Sequence, residues 1–340
     1  MVENDRVLTQ QDKNALKMIE SFLPEKIFDM HSHICDSRLS SIEYGEGSCF
    51  TMCGDPLLGM AQYAADQGRL YGQGKKLRVN MIMTADPAME DKKLRRACVE
   101  FIARQLEENP NNVAEVPVLA GDTREDVEAM LIHPRIRGFK CYHWTVKKEN
   151  TWQCGIEDYI SEAVWQVAQE RGMCITLHMV RNLALSDPGN LSYICTMAKK
   201  YPNAKLILAH AARGFAAWTV TESVQALAEI PNVYFDVAAV CEAEPIFAII
   251  KACGHKRVLW GTDYPVSMLR GKCVSIGSAF LWLYKEELNS CSGKKPFNAY
   301  LIGVEGLLAM RSACNMLSLD RSAVEDIFYN NAMALLGMTD

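Results

Sequence analysis

Long hydrophobic runs are missing from this sequence: no apolar stretch approaches the roughly 18 residues needed to cross a bilayer, so no membrane partner is expected. A basic excess is missing too. The 36 lysines and arginines face 41 acidic residues, a net charge of -5, which argues against a broad nucleic-acid surface. There is no internal repeat and no low-complexity linker, so residues 1–340 read as one domain. The pairs Gly45/Gly47 and Gly72/Gly74 lack the third glycine and the preceding strand of a dinucleotide fingerprint. The amino-terminal 25 residues are polar and helix-like, unlike a signal peptide. Thirteen cysteines are too sparse and irregular for a disulfide framework. Several of them (Cys98, Cys141, Cys174, Cys253) lie inside apolar runs, where a thiol acts as a small hydrophobe, and a reducing, cytoplasmic setting is expected.

What is present is an alternation. Apolar, β-branched runs of strand length occupy 26–31, 78–84, 116–120, 136–142, 173–178, 205–210, 232–238 and 256–262, with helix-like stretches such as 92–108, 156–171 and 188–200 between them. The runs are nearly continuous rather than alternating, as parallel strands covered on both faces should be. Such an order builds either a doubly wound sheet or an eightfold α/β barrel, and eight strands favour the barrel. Residues 34–76 form a long connection after the first strand, and 264–340 add helices after the eighth.

Histidine is scarce, and its placement is informative. Four of the seven histidines close predicted strands: His31 and His33 end the first, His178 the fifth and His210 the sixth. A strand period of two puts His31 and His33 on one face, a geometry that suits two ligands on one metal ion. Asp263 follows the eighth strand in Trp260-Gly261-Thr262-Asp263-Tyr264-Pro265. It can bind a metal or accept a proton; taken alone it could equally be a turn residue before Pro265. Side chains at several non-adjacent strand ends converge only if the strands close into a ring. His31, His33, His178 and Asp263 can then form a mixed imidazole–carboxylate shell with an open position. His210 stands near as base, electrophile or fifth ligand.

The segments 29–33, 177–181, 208–215 and 258–267 resemble the signature segments of the amidohydrolase superfamily, specifically its amidohydrolase-2 branch. Residues 324–332 resemble that branch's closing helix, so the resemblance runs over 26–337 with the motifs in the family's order. It implies an α/β fold, a distorted (β/α)8 TIM barrel with a long β1–α1 insertion and extra C-terminal helices. It also implies one divalent metal ion, zinc with manganese as the alternative, held by His31, His33, His178 and Asp263, and Asp263 and His210 as catalytic residues. The branch contains lactonases and other hydrolases, together with nonoxidative decarboxylases related to aminocarboxymuconate semialdehyde decarboxylase. A hydrolase of a carboxylate-bearing lactone or amide is the first expectation and a decarboxylase the alternative. Loss of site positions would mark a non-catalytic barrel, and none is lost. Relatives commonly form homodimers, which the acidic composition allows.

One segment departs from the branch. Its usual GxKxHP-like stretch reads Gly138-Phe139-Lys140-Cys141-Tyr142-His143 here, with Tyr142 where a histidine often stands. Alternation puts Lys140 and Tyr142 on one face and His143 on the other, unless the strand has ended. Both are candidate substrate contacts, and a carboxylated Lys140 bridging two metals is a further alternative. Arg38, Arg181, Arg213 and Arg270 follow strand ends, and guanidinium forks suit a small anionic organic substrate. Each could instead pair with a structural acid, such as Asp187 or Glu242.

Overall fold

The computed structural model describes residues 6–39, 57–72, 74–291 and 298–339. All eight expected strands form and lie side by side in one parallel sheet in chain order. They are β1 (Lys26–His33), β2 (Lys76–Ile82), β3 (Val113–Val118), β4 (Ile136–Cys141), β5 (Cys174–Leu177), β6 (Lys205–Leu208), β7 (Val233–Asp236) and β8 (Val258–Leu259). The chain beyond β8 closes the ring onto β1: Met30 N–H donates to Trp260 O, Asp263 N–H to His31 O and His33 N–H to Tyr264 O, at 2.9, 2.7 and 2.7 Å. The result is a nearly closed (β/α)8 TIM barrel. The middle of the long insertion, residues 40–56, lies outside the described residues; on either side of it, Cys35–Asp36 pairs antiparallel with Leu57–Leu58 and the helix Met60–Tyr71 follows.

Helix boundaries follow local chemistry. Asp91 caps Lys92–Glu108 through Lys93 N–H, and Asp187 caps Pro188–Lys200, whose first position is proline. The helix expected over 156–171 starts later, at Glu162, after a 3-10 turn at Ile156–Asp158; it ends at Gly172 in the left-handed region. The third strand begins at Val113 rather than 116. Glu115 reads as a boundary in sequence but lies inside the barrel, where Asn80 Nδ2 donates to it at 2.8 Å.

Three apolar clusters hold the barrel. The largest lies between the strands and the outer helices. A second fills the barrel interior with Phe28, Met30, Val113, Cys174, Ile207 and Leu259, and the final helix Asn331–Leu336 plugs it from the amino-terminal end. The third lies at the opposite mouth, where the hairpin β9 (Gly271–Ile276) and β10 (Ala279–Tyr284) packs Phe280 and Trp282 against Phe215, with Tyr284 stacked on Trp282.

Arg270 belongs to this framework. Its guanidinium bonds the buried Asp12 at 2.9 Å and the carbonyls of Val7 and Ala299, pinning the amino-terminal helix Gln10–Ile19 to the hairpin's base. Burial alone would raise the Asp12 carboxyl, but Arg270 and Thr9 reverse this and hold it below the ordinary 3.8. Breaking a buried pair costs about 3–5 kcal/mol, so Asp12→Ala should lower the calorimetric melting temperature markedly. Because the folded-state value is depressed, the wild-type advantage should be present above pH 3.8 and fade as pH falls through the depressed value.

Candidate metal centre

The site grows from a fault in β1. Asp29 pairs with Val79 and Ser32 with Met81, so β1 carries one extra residue between them. Phe28 and Met30 point into the barrel. Strict alternation would then turn His31 and His33 outward, but the extra residue shifts the phase and brings both inward. Their ring centroids are 5.2 Å apart. Asp29 fixes the bulge. Its buried carboxylate accepts from the His31 and Thr262 backbone N–H groups at 3.1 and 2.9 Å, from Ser32 and Tyr63 at 2.6 and 3.0 Å, and from the Thr262 hydroxyl. Gly261 supplies the clearance for this junction, since a Cβ there would sit 2.8 Å from His31 Cβ.

His210 is placed by a second irregularity. β6 stops at Leu208, two residues before the expected end, and His210, Ala211, Ala212 and Arg213 follow with φ of 56, 52, 57 and 58°. Four successive non-glycine residues in the left-handed region cost roughly 1–2 kcal/mol each. The turn is held by the His210 N–H donating to Asp236 Oδ1 at 3.0 Å and by His210 Nδ1–H on Ala238 O at 3.0 Å. Asp263, at the end of the eighth segment, also has a positive φ, 57°. Such strain collects at functional sites.

The donor set is compact. Asp263 Oδ1 lies 3.3 Å from His33 Nε2 and 3.6 Å from His31 Nε2, and Asp263 Oδ2 is 3.9 Å from His210 Nδ1. His31, His33 and Asp263 can hold one ion, and His31, His210 and Asp236 form a second overlapping group. The supporting contacts set the tautomers. Asp236 takes the Nδ1–H of His31 at 2.9 Å, while Ile82 O and the Thr84 hydroxyl flank His33 Nδ1 at 3.3 and 3.1 Å; in each ring Nε2 is left toward Asp263. Burial lowers the pKa of His31 and His33, and takes His210 down to about 4, so these imidazoles are neutral at pH 7. Burial would raise Asp263, but His210, His33 and His31 around it hold it well below the carboxylate range. Neutral imidazole and ionised carboxylate are the states a divalent cation requires, and the residues fit one.

His178 extends the set rather than belonging to its tightest group. Its ring lies 5.2 Å from that of His210 and 5.1 Å from Tyr142, and its buried Nδ1 has no hydrogen-bond partner. Lys140 is fully buried with Nζ 3.1 Å from His31 Nε2, and the Tyr142 hydroxyl is 3.2 Å from His33 Nε2. β4 ends at Cys141, so His143 reaches a ring distance of 6.1 Å from His178. The arginines separate. Arg38 is exposed on Asp36 at 2.6 Å and Arg181 bonds Asp187 at 2.7 Å. Arg213 lies between the Trp152 and Phe280 rings, 5.2 Å from each, with no ion pair among the described residues. Phe215 connects this slot to His210 at 5.4 Å. Asp236 and Asp29 escaped the sequence reading. Asp236 closes the run Val233-Tyr234-Phe235 as His178 closes its own, which was the available signal.

An eight-stranded barrel with imidazoles and carboxylates gathered at the carboxyl ends of its strands is the construction of a barrel metalloenzyme. The amidohydrolase family model matches residues 29–338, and the chain belongs to this amidohydrolase-2 family of metal-dependent hydrolases and decarboxylases. It is 25% identical over 187 residues to L-fucono-1,5-lactonase of Burkholderia ambifaria, a match that takes in 50% of this chain and 60% of that enzyme's length. The fold is shared with an amidohydrolase from Burkholderia multivorans with bound zinc (TM-score 0.58, 12% identity, 92% of this chain and 99% of that one). It is also shared with a dihydroxybenzoic acid decarboxylase from Polaromonas sp. JS666 with bound manganese and 2-nitroresorcinol (TM-score 0.55, 14% identity, 92% and 97%). No helix among the described residues is long and apolar enough to cross a membrane.

Removing a carboxylate that orients a ligand histidine typically costs 10–100-fold in metal affinity. Asp236→Asn should therefore weaken metal retention about 10–100-fold in chelator competition. An unchanged affinity would show that His31 does not depend on Asp236.

Proposed function

We propose that this protein is a zinc-dependent hydrolase of a small lactone or amide that carries a carboxylate. The observation that carries the reading is the set of His31, His33 and Asp263 donor atoms facing one point, with His210 and His178 beside it. His31, His33, His178 and Asp263 would hold the ion. When bound, it would supply Lewis acidity, polarising a carbonyl and bringing the pKa of water toward 7. Zinc suits the mixed nitrogen and oxygen donors, and manganese is the alternative.

The chain's own residues do the rest. Asp263, held ionised by the surrounding imidazoles, accepts the proton of the attacking water and passes it to the leaving group. His210, neutral and anchored through its Nδ1–H on Ala238 O, presents an unprotonated Nε2 to the site, where it acts as a base or as a further ligand of the ion. Arg213 binds the substrate carboxylate in its aromatic slot, and the hairpin ring Phe280 limits water at that side. Lys140 and the Tyr142 hydroxyl line the floor beside His31 and His33 and serve as substrate contacts. Arg181 and Arg38, bound to acids, contribute positive potential rather than direct contacts. The ten free cysteines among the described residues support a reducing, cytoplasmic setting.

The second reading is nonoxidative decarboxylation. It is supported by the likeness to the Polaromonas decarboxylase and by the same Arg213 slot, which would steer a carboxylic acid toward His210.

Elemental analysis of the purified protein should find about one divalent ion per chain; a value near two would favour a bridging carboxylated Lys140 instead. Asp263→Asn should lower kcat by about 10²–10⁴ with the fold intact by circular dichroism. A panel of carboxylate-bearing lactones, amides and aromatic acids, followed for acid release and carbon dioxide in parallel, separates the readings. Carbon dioxide without ring or amide opening would overturn the hydrolase. Loss of charge-assisted hydrogen bonds, about 1.5–3 kcal/mol, predicts that Arg213→Met raises KM about 10–100-fold. An unchanged KM would remove Arg213 from substrate binding.

A further inference from the structure

The barrel has a cavity at the end away from the metal centre. About 200 Å³ in volume, it opens where β4, β5 and β6 begin and is walled by the apolar Ile136, Met173 and Leu336. Three cations, Arg137, Arg171 and Lys205, also line it. Their charges are answered only in part. Arg137 has no ion pair among the described residues. Arg171 touches Glu128 at 3.4 Å, a carboxylate shared with Arg124 at 3.1 Å, and Arg124 is also paired with Glu170. Lys205 has a neutral partner, its ammonium donating to the carbonyl of Leu335. His133, on the rim, is already engaged, with Nε2 on Glu107 and Nδ1 accepting from Arg135 N–H. Arg137 and Lys205 line the same cavity as the buried Cys174 at its wall.

Like charges gathered around a cleft repel one another, and a concave low-dielectric wall strengthens the field between them. In a chain of net charge -5 this concentration of positive charge stands out against the rest of the molecule. Two guanidinium forks and an ammonium match the oxygens of a compact dianion. A monocarboxylate would neutralise only one of the three charges, whereas a phosphate carries about -1.5 to -2 at pH 7. The apolar wall leaves space beside the anion for a small organic group. We propose that this cavity is a binding site for phosphate, free or as a small monoester, held by Arg137, Arg171 and Lys205 and separate from the metal centre.

The probes are inorganic phosphate and phenyl phosphate, titrated into the metal-loaded full-length protein against chloride at matched ionic strength. Binding is read by calorimetry and by the rise in melting temperature. Both probes should bind wild type, and the double variant Arg137→Gln/Arg171→Gln should lose about tenfold or more in affinity, since each charge-assisted contact is worth at least about 1.5 kcal/mol. Arg137 is exposed and Arg171 lies at a helix end, so this variant should keep its melting temperature in chloride. Arg213→Met should leave phosphate binding unchanged, which separates this site from the substrate slot. Tighter binding of phenyl phosphate would assign an ester, and equal binding free phosphate. No binding beyond the chloride control, or equal affinity in the double variant, would overturn the proposal.

Discussion

The Asp29 carboxylate is the constraint on which the rest of the structure depends. Five donors from β1, from Thr262 after β8 and from Tyr63 on the insertion helix meet on its two oxygens. Burial raises its pKa to about 6 despite those donors, so its charged form is costly to bury and is held there by the network. The network joins the two ends of the open sheet, fixes the bulge that turns His31 and His33 inward, and sets Thr262 one residue before Asp263. Barrel closure and placement of the donor atoms are thus one event.

Around that junction the barrel interior changes character along its axis. Phe28, Met30, Val113, Ile207 and Leu259 form an apolar floor above the final helix. Asn80, Glu115, Lys140 and Thr176 form a buried polar layer above them, and the imidazoles and Asp263 stand at the mouth. Glu115, raised to about 7 by burial, and Lys140, lowered by it, share this layer. At the mouth, desolvation lowers the histidines' pKa values, and Asp236 keeps its charge with the Nδ1–H of His31 bonded to it. The low-dielectric interior prepares a cation's donors in their binding states.

Much of this was legible in the chain. Eight continuous apolar runs could be counted, and the HxH spacing put His31 and His33 on a common face because side chains alternate with period two. Other features were not legible. Alternation says that two histidines share a face but not which one, and here the bulge at Asp29 decided. Extending β6 through His210 would have turned that ring away from the barrel; the left-handed turn, stabilised by Asp236 from the neighbouring strand, returned it. Arg38, Arg181, Arg213 and Arg270 look alike in sequence, and only their neighbours distinguish them. Three meet acids, and Arg213 meets two aromatic rings.

By itself, the amino-acid order determined the fold class, the number and order of strands, and the residue types at their ends, because periodicity and local propensity act over a few neighbours. Tertiary structure alone decided which face the histidines took, which carboxylates supported them, which of the four arginines after strand ends has no acid partner among the described residues, and where a cationic cavity opened. Those outcomes depend on contacts between residues 233 positions apart, as for Thr262 and Asp29, or 263 apart, as for Arg270 and Val7, and no local pattern encodes a partner at that distance.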